Sequence, residues 1–153
     1  MRFEYRLTGA GWAQGVVSDG SASVTLTASY LSDALGDLLD AVTELLSGAT
    51  EVRCSWWQEP GESRWIFRES RGASSLQVLQ FEETWPDLLP DFKGDVVFEA
   101  SCTALQMVTA IVDASQAVLD EHGVDAYLRN WVMHAFPFEQ LATAREVTSS
   151  VEN

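Results

Sequence analysis

The hydrophobic period of this chain changes at Leu31 and again near Glu51, and those two changes restrict the fold more than any other feature. Phe3, Tyr5 and Leu7 alternate with Arg2, Glu4 and Arg6, the period of a strand with one buried face. Gly9-Ala10-Gly11 interrupts the run. Residues 12–18 continue as a second strand, Asp19-Gly20 marks a hairpin turn, and residues 23–29 form a third strand with Val24, Leu26 and Ala28 inward. From Leu31 the apolar residues recur every three or four positions, at Leu31, Leu35, Leu38, Leu39, Val42, Leu45 and Leu46, while Asp33, Asp37, Asp40 and Glu44 fall on the opposite side. This spacing predicts a helix over 31–46. Ser29 or Ser32 is positioned to cap it, Asp33 lies at the positive end of its dipole, and Gly48 ends it.

Strand patterns resume over 51–57, 64–69, 75–83 and 96–101, joined by Glu59-Pro60-Gly61-Glu62, by Arg71-Gly72 and by a longer connection over 84–94. Short turns between successive strands imply antiparallel neighbours. A second helix is expected over 103–122, with Leu105, Val108, Val112, Val118 and Leu119 inward and Gly123 as its left-handed terminator. A short helix over 125–131 follows, then a last helical segment over 139–147 and a polar tail over 148–153. The expected fold is α+β: an antiparallel sheet of six or seven strands, two long helices on one of its faces, and a short helical C-terminal segment. Residues 1–147 form one domain in this reading, and 148–153 a flexible tail.

The hairpin around Pro60-Gly61 carries most of the site information. With Glu59 to Glu62 as its turn, Trp56 lies opposite Trp65, Cys54 opposite Phe67 and Trp57 opposite Arg64. Val52, Cys54, Trp56, Trp65 and Phe67 then share a core face, which Leu76 and Val78 join across Arg71-Gly72. The other face carries Arg53, Ser55, Trp57, Arg64, Ile66, Arg68, Gln77, Leu79 and Phe81. Apolar area flanked by arginine marks contact surfaces, so Arg53, Trp57, Arg64, Arg68, Leu79 and Phe81 are the candidate binding residues, with Arg64 over the Trp57 ring. The opposing possibility is cover by the chain itself, for which Trp85 or Trp131 would serve.

Charge narrows the partners. The 153 residues hold 23 acidic and 9 basic side chains, a net charge of −14 spread evenly along the chain. Such a surface repels phosphate backbones and anionic lipid, so neither nucleic acid nor membrane is expected, and a cationic partner is its complement. The sixteen aromatic residues supply enough apolar surface for a folded core. Two cysteines, Cys54 and Cys102, are too few for a disulfide scaffold and match no zinc or redox spacing. The first residues lack the continuous apolar run of a signal peptide, and no stretch approaches a membrane span. The expected location is the cytoplasm.

Chemistry-bearing motifs are weak. Gly9-x-Gly11-x-x-x-Gly15 follows a strand but precedes another strand, whereas a nucleotide turn opens a helix. His122, in the last turn of its helix, and His134, at the domain edge, read as structural, and no spacing brings Cys54 or Cys102 to either. Glu82, Glu83, Asp87, Asp91 and Asp95 lack the spacing of a calcium loop and read as a solvated acidic connection. No catalytic residue, metal ligand or cofactor is implied.

Trp56-Trp57-Gln58-Glu59-Pro60-Gly61-Glu62-Ser63-Arg64-Trp65, with Ala28-Ser29-Tyr30-Leu31-Ser32-Asp33-Ala34-Leu35 and Tyr127-Leu128-Arg129-Asn130-Trp131, resembles a family of small uncharacterised proteins of high-GC Gram-positive bacteria. That resemblance spans most of the chain and transfers no activity. In its general character, small, acidic, tryptophan-rich and α+β, the chain also resembles the immunity proteins that neutralise polymorphic toxins. The expectation is a noncatalytic protein-binding domain, an immunity-type inhibitor of a basic partner. The alternatives are a small-molecule binding domain using the Trp and Arg face, and an enzyme of unrecognised type. A second copy of the chain is a further candidate partner.

Overall fold

The computed structural model describes residues 1–84 and 88–153. Its first three strands, β1 (Arg2–Gly9), β2 (Trp12–Ser18) and β3 (Ser23–Ser29), form an antiparallel meander in that order. Helix α1 (Ala34–Leu46) leads to a second antiparallel sheet, β4 (Glu51–Trp57), β5 (Glu62–Ser70), β6 (Ala73–Phe81) and β7 (Asp95–Cys102), again in chain order. The chain closes with α2 (Ala104–Trp131) and α3 (Phe138–Glu152). The α+β class and the antiparallel pairing agree with the periodicity. The single sheet of six or seven strands is corrected: the described residues form two sheets, of three and four strands.

The reason for the split lies in the aromatic side chains. Phe3 and Tyr5, inward on β1, meet the rings of Trp56 and Trp65 from the second sheet, with centroids 5.9–6.3 Å apart. Side by side in one sheet, these residues would all point the same way and could not cover one another. Stacked face to face, they form the centre of one core. Gly15 of β2 permits the approach, since a Cβ there would stand 2.5 Å from the Trp56 ring.

The helices divide the remaining cover instead of sharing one sheet face, as the two apolar stripes had suggested. Helix α1 lies against β4 and β5, α2 runs against β1, and α3 packs on both helices. Asp33, not Ser29 or Ser32, caps α1, accepting from the Gly36 N–H at 3.3 Å, while the Ser32 hydroxyl accepts from the Trp57 N–H at 3.1 Å. Leu31 lies outside the helix and is 54% exposed. In α2, Thr103 and Gln106 make a reciprocal capping box, and Gly123 at φ 71° breaks the helix where its terminator was expected. Helix α3 continues to Glu152, through most of the segment that composition assigned to a tail.

The β4–β5 pairing is displaced by two residues from the expected register. Trp56 faces Ser63, Cys54 faces Trp65, and Trp57 faces Glu62. The turn closes one residue early, with the Gln58 N–H donating to the Gly61 carbonyl at 2.9 Å. Gly61 has φ 111°, and a Cβ on it would reach 2.7 Å from the Phe81 carbonyl oxygen, so the tight end of the hairpin falls on the glycine. A slip by an even number leaves every side chain on its own face. Val52, Cys54, Trp56, Trp65, Phe67, Leu76 and Val78 therefore do share the core face, joined by Phe98 and Ala100 of β7.

Candidate binding surface

The outer face of the second sheet gathers all six candidate residues, but less of it is open than the alternation suggested. Ile66, Leu79 and Phe81 form a second apolar cluster there, with Leu89 packed on it. Gly94 sits against the Phe81 ring, where an added Cβ would come within 2.7 Å. The connection between β6 and β7 thus folds back over β5 and β6, and Leu79 and Phe81 are buried, not offered to a partner. Of the two tryptophans considered as cover, Trp131 belongs to the main core, and Trp85 lies outside the described residues, as does Asp87.

Arg64 fastens this connection. Its Nε and Nη2 donate to the two oxygens of Glu62 at 2.9 and 3.0 Å, and its Nη1 donates to the Leu89 carbonyl at 2.9 Å and to Asp91 at 2.7 Å. The Glu62 carboxylate, fully buried, also accepts from the Ser55 hydroxyl at 2.6 Å. The guanidinium stacks over Phe81, 4.4 Å from the ring centre, and not over Trp57, because the two-residue slip places Glu62 opposite Trp57. A guanidinium bonded in this way keeps almost no donor for a ligand. Arg64 is accordingly a structural fastener.

Arg53 and Arg68 are more open but similarly occupied. Arg53 pairs with Glu51 at 2.8 Å and Asp91 at 2.7 Å, and Arg68 pairs with Glu51 at 2.8 Å. Hydrogen bonds from Arg64 and Arg53 hold the Asp91 carboxyl below the usual carboxylate range, and those from Arg53 and Arg68 do the same for Glu51. The sequence reading missed these acidic partners, although Glu51-x-Arg53 and Glu62-x-Arg64 place opposite charges on one strand face. Trp57 stands apart at the end of β4. It is half-buried and borders an open groove of about 570 Å³ with Arg53, Cys54, Ser55, Leu88 and Asp37 of α1.

On the far side of that groove stands a row of carboxylates. Asp33, Asp37, Asp40 and Glu44 follow one another along α1, and among the described residues no salt bridge reaches any of them. Desolvation, then the charges of Asp33 and Asp40, push Asp37 up to about 6, with His134 opposing the rise. Asp33 is raised by desolvation and eased by His134; Asp40 is raised by desolvation and eased by Gln140 of α3. Desolvation, followed by the charge of Asp37, pushes the Cys54 thiol up, away from nucleophilic thiolate chemistry.

Among the described residues no three His, Cys, Asp or Glu side chains converge with the geometry of a metal site, and no helix is long and apolar enough to cross a membrane. His122 lies 3.8 Å from the Glu121 carboxylate near the break in α2. Comparison of the chain with family models, with curated proteins and with solved structures found no match.

Proposed function

We propose that the chain is a noncatalytic binding domain for a basic protein, acting as an inhibitor of the immunity type. The observation that carries this reading is the distribution of charge pairing. The arginines of the Trp and Arg face are bonded to carboxylates of their own chain, whereas among the described residues no salt bridge reaches the carboxylates along α1, and Asp37 is raised by burial and by the charges of Asp33 and Asp40. An incoming Lys or Arg relieves that mutual repulsion, so the acidic surface gains more from a cation than an isolated carboxylate does. The open groove beside Trp57 supports a second reading, a small-molecule site bordered by Arg53 and Trp57.

The test is capture of partners on the immobilised chain at low salt, followed by association kinetics for each captured protein. A strongly basic partner whose association slows steeply with ionic strength supports the reading. Partners of neutral or acidic character, or association indifferent to salt, would overturn it.

A further inference from the structure

Beyond its break at Gly123, α2 carries two apolar stripes where a helix on a protein surface needs one. Tyr127 and Trp131 face inward and are fully buried. Val124, Leu128 and Val132, also four residues apart, face outward at 45%, 44% and 52% exposure. Val132 ends the helix at φ 79°, ψ −58°, and the Met133 N–H donates back to the Trp131 carbonyl at 3.0 Å. That is the γ-turn of positive φ, a rare and strained conformation, and for a β-branched residue an outlier. Glycine would occupy it with less strain. The strain is maintained while the Val132 and Met133 side chains point into water, Met133 at 64% exposure.

This apolar surface extends beyond the helix. The Gly11 N–H donates to the Asn130 carbonyl and the Tyr30 N–H to the Gly11 carbonyl, which brings exposed Leu31 beside the end of α2. The rings of Tyr127, Phe136 and Phe138 follow one another at 5.3 and 4.8 Å, so exposed Phe138 is anchored through the buried stripe to the same end of α2. Its border is acidic: Asp33, two residues from Leu31, caps α1, Asp37 follows in the first turn of that helix, and Asp125 and Glu139 lie within the segments that carry Val124 and Phe138. Arg129 is the one arginine among them.

We infer that the surface formed by Leu31, Val124, Leu128, Val132, Met133 and Phe138 docks an amphipathic segment of a basic partner, its apolar side chains on this patch and its Lys or Arg on the α1 carboxylates. The inference rests on the binding reading above and names the surface that serves it. Charge selects the occupant. A second copy would bring two acidic borders together on chains that each carry a net charge of −14, which repels; a cationic segment neutralises the same border.

The probe is a synthetic amphipathic helical peptide of Leu and Lys, compared with a Leu and Glu peptide of the same pattern and a Ser and Lys peptide of the same charge. Binding is followed by fluorescence anisotropy and by amide chemical shifts. The Leu and Lys peptide should bind best, with shifts centred on residues 124–138. Leu128→Ser combined with Met133→Ser should weaken it about tenfold at unchanged melting temperature. Val96→Ser combined with Val97→Ser, which alters exposed apolar residues elsewhere, should leave it unchanged. Equal binding by the Ser and Lys peptide, or no loss in the Leu128 and Met133 variant, overturns this docking surface while the basic-partner reading stands. Absence of binding by either cationic peptide overturns both. A dimer in sedimentation that the Leu128 and Met133 variant abolishes would assign the patch to a second copy instead.

Discussion

Gly15 owes its place to Trp56. The indole crosses the inner face of the first sheet at a point where any Cβ would intrude by about an ångström on ordinary contact, and its Nε1–H donates to the Ala34 carbonyl at 2.9 Å, which fixes the ring between sheet and helix. Gly15→Ala should therefore destabilise by about 1–3 kcal/mol through overpacking. Trp65→Ala, which empties the centre of the same cluster, should cost about 3–5 kcal/mol; denaturant midpoints at constant slope read both. Asp37 gives a prediction of opposite sign. Its pKa is raised from 3.8 to about 6, so the stability tied to its protonated form is fully present below 3.8 and is lost as pH rises through about 6. Asp37→Asn should stabilise the fold at pH 7 by an amount of order 1 kcal/mol or less, given solvent screening of a half-exposed group, and should gain nothing near pH 3.5. Melting curves of the two proteins across that range should converge toward acid pH.

At the scale of elements, the β4–β5 hairpin and the connection that follows β6 form a unit held by buried charge. Removing the guanidinium with Arg64→Ala leaves Glu62 without compensation in the interior and should destabilise by about 3–5 kcal/mol. Arg64→Met combined with Glu62→Gln keeps the volume without the charges and should recover most of that loss; a double variant as unstable as the single one would show that the bond to Leu89 and Asp91 dominates instead. This unit also shows where sequence reading works. The alternation from Val52 to Phe67 identified which side chains face the core, because a register slip of two residues cannot alter a period of two. The slip itself depended on Gly61 and the Phe81 carbonyl, a contact from β6 that no local pattern contains. The same holds for the candidate surface. Arg53, Trp57, Arg64, Arg68, Leu79 and Phe81 do lie on one side of the sheet, yet whether a chain segment returns over them depends on the path of a connection with no period of its own. The Gly123 break and the Gly48 terminator were legible because backbone freedom is a property of the residue alone.

Across the whole molecule, both sheets and all three helices contribute to one buried cluster. Unfolding should therefore be a single transition, with tryptophan fluorescence and far-ultraviolet circular dichroism giving coincident midpoints. Two separated transitions would mean that the meander and the four-stranded sheet have independent cores. The joining of the first strand to the last third of the chain also bears on how the protein is made. Strand β1 rests against α2, and Gly11 bonds to Asn130. On a ribosome adding about 5–20 residues each second, the meander waits on the order of ten seconds for the helix that covers it. Phe3 and Tyr5 must wait first for Trp56 and Trp65 of the second sheet and then, with the rest of β1, for α2, so the nascent chain is open to chaperone capture or aggregation until α2 has emerged.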